Sequence, residues 1–113
     1  MADFQEVWQR EVETFENQNP TSKSLYSRAR EYLPGGSSRA LTYSPPFPLY
    51  AKKGEGSKFW DVDGNVRIDL FNNATSLAHG HAHPDIVRAI CKAASQGTAF
   101  ASCTEREIIL AEI

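Results

Sequence analysis

The sequence has little cysteine, little excess charge and no long apolar run, and each shortage excludes a class of protein. Its two cysteines, Cys91 and Cys103, follow no secretory signal, so we expect free thiols in a reducing compartment. The net charge is −2 and the basic residues are scattered, so we expect neither a nucleic-acid partner nor an anionic membrane surface. No segment has the apolar length of a membrane span, and the acidic N-terminus is unlike a transit peptide. These features predict a cytoplasmic protein.

Helical periodicity is the main pattern that the sequence does contain. Apolar residues at helical spacing predict four helices, at about residues 4–17, 23–33, 84–95 and 104–113. The first and the last are preceded by capping-box patterns, Asp3 with Glu6 and Thr104 with Glu107. Between the second and third helices, three strand-like runs predict a small antiparallel meander at about residues 49–52, 58–62 and 66–71. The expected fold class is therefore α+β, with residues 1–113 forming one segment.

The connections are read from glycine, proline and small polar residues. Asp63-Gly64 is a typical hairpin signal, and we interpret Gly54-Glu55-Gly56 as a turn. Three prolines predict an extended connection over residues 37–48, and residues 72–83 have no period and are predicted to form a loop. The last helix lacks a glycine or asparagine stop before Ile113, which favours truncation of the sequence inside an element.

Two motifs raise the question of a metal. His79, His81 and His83 are two residues apart, so an extended segment would place all three on one face; alternatively, they anchor the loop by hydrogen bonds. Alternating carboxylates at residues 61–65 are typical of a calcium loop, but the glycine and glutamate positions of such a loop do not match, which favours a hairpin turn. We therefore assign no metal site.

Arg39 is a candidate binding residue because it lies in a proline-flanked stretch that is predicted to be non-helical. Its charge is therefore not explained by a position on the solvent-exposed face of a helix. A guanidinium in such a position can bind a substrate carboxylate by two parallel hydrogen bonds. It can equally be solvated or paired with a local acid. The residues alone leave both alternatives open.

Taken in order, the motifs resemble one family over residues 25–113. They are PGG at Pro34–Gly36, Arg39, Pro46-Phe47-Pro48, GEGSKFWDVDGNVRIDL, NNATSLAHGHAHP, GTAF and TERE. This order resembles the N-terminal region of class III aminotransferases, in the glutamate-1-semialdehyde aminomutase-like branch. The resemblance implies a fold-type-I transferase that forms a homodimer and exchanges an amino group between an amino acid and an oxo acid through pyridoxal 5'-phosphate.

The resemblance also implies what each part of the chain contributes. In such enzymes the phosphate turn, the pyridinium aspartate and the Schiff-base lysine lie downstream of Ile113, so we assign no catalytic or cofactor-binding residue and expect the chain alone to be inactive. Arg39 corresponds to the residue that binds the substrate carboxylate. Ala74 lies in the pocket wall, where relatives commonly carry Tyr or Trp. A larger pocket is expected.

The sequence leaves three functions open. The connection between Gly36 and Arg39 is shorter than in the aminomutases, which favours a transaminase. Glutamate-1-semialdehyde 2,1-aminomutase is the first alternative. The second is a non-catalytic remnant, or a dimerisation partner of a full-length relative.

Overall fold

The computed structural model describes residues 3–113, except for the side chain of Ala40. The chain divides into two compact units, of which the first extends to His81 and the second runs from Ala82 to Ile113. Within the described residues, no helix combines the length and the apolar character that crossing a membrane requires.

Two helices open the first unit, α1 at Phe4–Gln18 and α2 at Pro20–Ala29. A single residue, Asn19, separates them, so α2 begins three residues before the predicted position because Pro20 suits the first position of a helix. It also ends four residues early. Leu33 is extended, with φ −119° and ψ 130°, as expected for a residue that precedes proline.

The three strands form the predicted antiparallel meander, in the order β1 (Ala51–Glu55), β2 (Lys58–Asp61) and β3 (Val66–Ile68). The first strand was predicted to end at residue 52, but it continues through Gly54. A Cβ atom at Gly54 would lie 2.5 Å from Cγ of His81. Gly54 therefore allows the His81 ring to approach the backbone of the strand closely. It is not part of the turn that we had predicted.

The third strand ends at Ile68 and not at residue 71. The carboxylate of Asp69 accepts hydrogen bonds from the backbone amides of Phe71 and Asn72, at 3.0 and 2.7 Å, which turns the chain out of the sheet. The predicted loop over residues 72–83 then begins with a single helical turn, α3 (Asn72–Thr75).

The interior of the first unit is mainly polar. Phe47 is the buried hydrophobic side chain among the described residues, at 2% exposed, and its ring lies 5.1 Å from that of Phe15. Asn19, Ser22 and Asp61 are completely buried. Each of these three has hydrogen-bond partners, which is what burial of a polar group requires.

Asp61 and Arg67 form the centre of this polar interior. Arg67 Nε lies 3.0 Å from Asp61 Oδ2, and Arg67 Nη2 donates to Asn19 Oδ1 at 2.7 Å. Burial raises the pKa of Asp61, but hydrogen bonds from Asn65 and Arg67 outweigh burial and hold that pKa below its ordinary value. The ion pair therefore joins β2 to β3, and the hydrogen bond from Arg67 to Asn19 joins these strands to the junction of α1 and α2.

Asp63, in the turn between β2 and β3, caps α2 from 41 to 42 residues away. Its carboxylate accepts the backbone amides of Thr21 and Ser22 at 2.6 and 3.0 Å, and the Ser22 hydroxyl at 2.8 Å. Burial raises the pKa of Asp63, but these hydrogen bonds outweigh it and lower the pKa overall. The alternating carboxylates at residues 61–65 thus serve an ion pair and a helix cap, in the hairpin turn that we had favoured.

The second unit contains α4 (Pro84–Ala94) and α5 (Glu105–Ala111). The predicted capping box of α5 is confirmed, since the Glu107 carboxylate accepts from the Thr104 amide at 3.0 Å. This helix ends two residues before the predicted position. Cys91 and Cys103 are free and exposed.

The capping box predicted for α1 is not formed. Asp3 occupies the N-cap position, but its side chain makes no capping hydrogen bond. Asp3 directly precedes α1, and Asp63 contacts the start of α2 from the turn between β2 and β3. The two are therefore a matched pair, in which Asp63 caps a helix and Asp3 does not.

We expect Asp63→Ala to lower the free energy of unfolding by about 1–2 kcal/mol, since it removes the cap of α2. Asp3→Ala, the matched control, should leave the free energy of unfolding nearly unchanged. Urea unfolding followed by circular dichroism measures both. Equal effects of the two substitutions would contradict the assignment of the cap.

Candidate functional site

Arg39 lies between two short 3₁₀ turns, Pro34–Gly36 and Ala40–Thr42, the second of which replaces part of the extended connection that was predicted. Hydroxyl groups hold its backbone. The carbonyl oxygen of Arg39 accepts from the hydroxyls of Ser37 and Thr42, each at 2.8 Å. The backbone of the candidate arginine is thus fixed on both sides.

The double glycine before Arg39 is required by geometry. Gly35 and Gly36 both have positive φ, at 70° and 73°. A Cβ atom at Gly36 would lie 2.6 Å from Cε2 of Tyr26. The turn therefore packs directly on α2, and the position of α2 determines where Arg39 emerges.

The guanidinium of Arg39 reaches the turn that carries Ala74. Arg39 Nη1 donates to Oδ1 of Asn73 at 3.2 Å, and Asn73 Nδ2 donates to the Ser76 hydroxyl at 2.8 Å. The structure therefore brings together the two regions that the sequence predicted separately. The side chain of Arg39 remains exposed, and a guanidinium has five N–H donors, of which this bond uses one.

The turn α3 is strained. Residues 72–75 all have positive φ, at 51°, 48°, 57° and 67°, and none of them is glycine. Left-handed backbone costs about 1–2 kcal/mol for each such residue, so other contacts must hold the turn. Strain of this kind is concentrated at functional sites in proteins.

Asp69 and His81 supply the contacts that hold α3. Besides the two amides of the turn, the Asp69 carboxylate contacts His81, with Oδ2 2.7 Å from the ring Nε2. The hydrogen bond from the Asn72 amide, followed by that from His81, lowers the pKa of Asp69. The carboxylate is therefore ionised at neutral pH and accepts all three bonds.

Sequence reasoning missed Asp69. The available signal was its position at the end of a strand and before two asparagines, which is typical of an aspartate that accepts backbone amides of a following turn. Its partner His81 was considered as a metal ligand or as an anchor of the loop. For His81 the structure confirms the anchor.

The metal alternative finds no support in the part of the chain that the structure describes. Gly80 and Ala82 have positive φ, at 72° and 52°, so the segment lacks the extended conformation on which a shared face of three histidines depends. Residues 3–113 contain no group of three His, Cys, Asp or Glu side chains placed to bind a metal ion.

A groove of about 630 Å³ lies beside this turn, within the first unit. Asp69, Asn73 and His81 contribute polar groups to it, and its apolar lining comes from Phe15, Leu41, Phe47, Leu49, Phe59 and Phe71. An apolar groove with a few converging polar groups is typical of a small-molecule site. Ala74 is exposed and directly follows Asn73.

A family model, aminotransferase class III, matches residues 40–111. The chain belongs to the class-III aminotransferase family. It is 46% identical over 95 residues to the glutamate-1-semialdehyde 2,1-aminomutase of Syntrophomonas wolfei, a match that covers 81% of this chain and 22% of that protein. The chain thus spans about a fifth of the length of the curated relative.

Solved structures agree with the family. A transaminase with PLP bound is 49% identical with a TM-score of 0.80, over 83% of this chain and 22% of that one. An omega-transaminase from Sphaerobacter thermophilus is also 49% identical, with a TM-score of 0.77, over 80% of this chain and 21% of that one. The helices and the meander are the fold of the N-terminal part of PLP-dependent aminotransferases, as expected.

The described residues do not by themselves fit a pyridoxal-phosphate site. A lysine that forms a Schiff base is activated by desolvation or by a neighbouring cation, whereas each lysine in residues 3–113 is exposed. Lys23 pairs with Glu16 at 2.6 Å, and Lys53 lies 4.0 Å above the ring of Trp60. What the chain does organise is a guanidinium, a strained turn and an apolar groove.

Proposed function

We propose that this chain forms the substrate side of the active site of a PLP-dependent transaminase, which transfers an amino group between an amino acid and an oxo acid. The proposal rests mainly on Arg39, whose backbone is fixed and whose guanidinium donates to Asn73. Asn73 lines the apolar groove, whereas Arg39 does not. Family membership and the two solved transaminases support it. A homodimer with active sites at the subunit interface belongs to the same proposal.

An arginine suits this reaction for a chemical reason. The amino acid and the oxo acid differ at the carbon that exchanges nitrogen, but both carry a carboxylate. A guanidinium binds a carboxylate through two parallel hydrogen bonds, so one residue serves both half-reactions. The apolar groove would accept the remainder of the substrate.

Glutamate-1-semialdehyde 2,1-aminomutase is the second candidate, because that is the name of the relative from Syntrophomonas wolfei. Its chemistry moves an amino group within one molecule, whereas a transaminase releases an oxo acid. The short connection from Gly36 to Arg39 favours the transaminase. Formation of an oxo acid from a separate amino donor distinguishes the two.

We propose that the chain alone is inactive, because the lysines that it contains are exposed and match no Schiff-base position. After incubation with pyridoxal phosphate and reduction with borohydride, mass spectrometry should find no adduct concentrated on one lysine. Labelling of the urea-unfolded chain is the control for surface reactivity. A stoichiometric adduct on a single lysine, absent from the unfolded control, would contradict the proposal.

In the complete enzyme, Arg39→Gln should raise KM for an amino acid by about 10- to 100-fold, the value of a charge-assisted bond to the carboxylate. An amine donor without a carboxylate should be affected little. Arg10→Gln is the control, because Arg10 is an exposed arginine on α1. An unchanged KM for the amino acid would remove Arg39 from the site.

Ala74→Trp should restore an aromatic wall and exclude large substrates. We expect kcat/KM for amino acids with bulky side chains to fall by about tenfold or more relative to alanine. Ala78→Trp, at another exposed alanine of the same loop, is the matched control. If both variants change the ratio equally, Ala74 does not line the pocket.

A further inference from the structure

Asp69 links the rigid sheet to the strained turn. Its own amide donates to the Ser57 carbonyl at 2.9 Å, which fixes its backbone next to the turn between β1 and β2. Its carboxylate is 14% exposed and accepts the two amides of the turn on one oxygen and His81 on the other. One side chain therefore holds three groups that come from two segments.

His81 is the fixed end of this contact. Gly56 and His81 exchange backbone hydrogen bonds at 2.8 and 2.9 Å, and the His81 ring lies directly on Gly54. The ring has little freedom because the sheet backbone is on one side and the Asp69 carboxylate on the other. Asp69 thus transmits the position of the sheet to the turn.

The turn α3 is the strained partner of the Asp69 carboxylate. Its four residues with positive φ favour relaxation towards ordinary backbone, and the Asp69 carboxylate opposes it through the first amides of the turn. Asn73 lies inside the turn and accepts from Arg39 at 3.2 Å. A change in the turn therefore moves the acceptor that orients the guanidinium.

We propose that Asp69 is a positioning residue for substrate binding, which acts through α3 and Asn73 to set the orientation of Arg39. It does not touch the substrate itself. The inference rests on the proposed function, because it assumes that Arg39 binds the carboxylate. His81 supports this role because its ring holds the Asp69 carboxylate in place.

Asp69→Asn in the complete enzyme tests the proposal. An amide keeps one oxygen acceptor but loses the charge, so we expect KM for the amino acid to rise on the order of tenfold, while kcat changes little. Hydrogen exchange of the Phe71 and Asn72 amides should be faster. In the double variant Asp69→Asn/Asn73→Ala, KM should rise no further than in either single variant, since both act on Arg39 in series.

Glu107→Ala is the control for destabilisation. This carboxylate also accepts a backbone amide, that of Thr104 at 3.0 Å, but it caps α5 in the second unit. The substitution should lower stability without raising KM. If Glu107→Ala raises KM as much as Asp69→Asn does, the effect of Asp69 is general destabilisation and the proposal is wrong.

A crystal structure of the Asp69→Asn variant separates this inference from the proposed function. Displacement of the Arg39 guanidinium from Asn73 supports the positioning role, whatever reaction the enzyme catalyses. A guanidinium that stays in place, or a KM that stays the same while the turn loosens, overturns it. Absence of amino transfer in the unmodified enzyme would instead refute the proposed function, and the position of Arg39 would still decide the role of Asp69.

Discussion

The contact of the buried Asp61 and Asn19 with the half-buried Arg67 is the constraint on which the first unit depends. Its members come from the junction of α1 and α2 and from strands β2 and β3, and their partners are up to 48 residues apart in the sequence. Buried charges are tolerated when every group is paired, whereas the loss of one partner leaves an uncompensated charge and costs several kcal/mol. Since Phe47 is the one core hydrophobic side chain among the described residues, hydrogen bonding of the buried polar groups decides how helices and sheet meet.

The candidate site follows from that arrangement. The Asp63 cap places the start of α2, and the double-glycine turn packs on α2, so Arg39 emerges at a defined point of the unit. The sheet independently places Asp69 and His81, which hold the strained turn. Both routes begin at the same three-stranded sheet, the first at the turn between β2 and β3 and the second at the turn between β1 and β2.

We propose that the chain organises recognition of a substrate and not the chemistry of a cofactor. Two of its exposed lysines, Lys23 and Lys53, make surface contacts with Glu16 and Trp60. The Arg39 guanidinium donates to Asn73, which lines the apolar groove. This division is consistent with a class-III aminotransferase segment that spans about a fifth of the length of its curated relative. The transferred groups and the assembly remain the subject of the proposal.

Much of the fold could be predicted from the sequence because it depends on near neighbours. The spacing of Val7, Val12 and Phe15 determined α1, Asp63-Gly64 determined a hairpin, and Thr104 with Glu107 determined the start of α5. The ordered motifs were enough to indicate the family, and Arg39 stood out because no helix face could explain its charge. In α1, the hairpin and the start of α5, the interacting residues lie within a few positions of one another, where periodicity and turn chemistry are informative.

Tertiary structure alone decided the rest. Asp63 caps a helix that begins 43 positions earlier, at Pro20, Gly54 is a strand residue because His81 lies on it, and Asp69 holds a left-handed turn that no propensity favours. These contacts join segments that are distant in sequence. Local sequence patterns around a side chain do not reveal which distant residue it will contact after folding. The sequence by itself determined the elements and the family. The packing of α2 and His81 against two different turns of the sheet decided which carboxylate holds which amide, and so where Arg39 points.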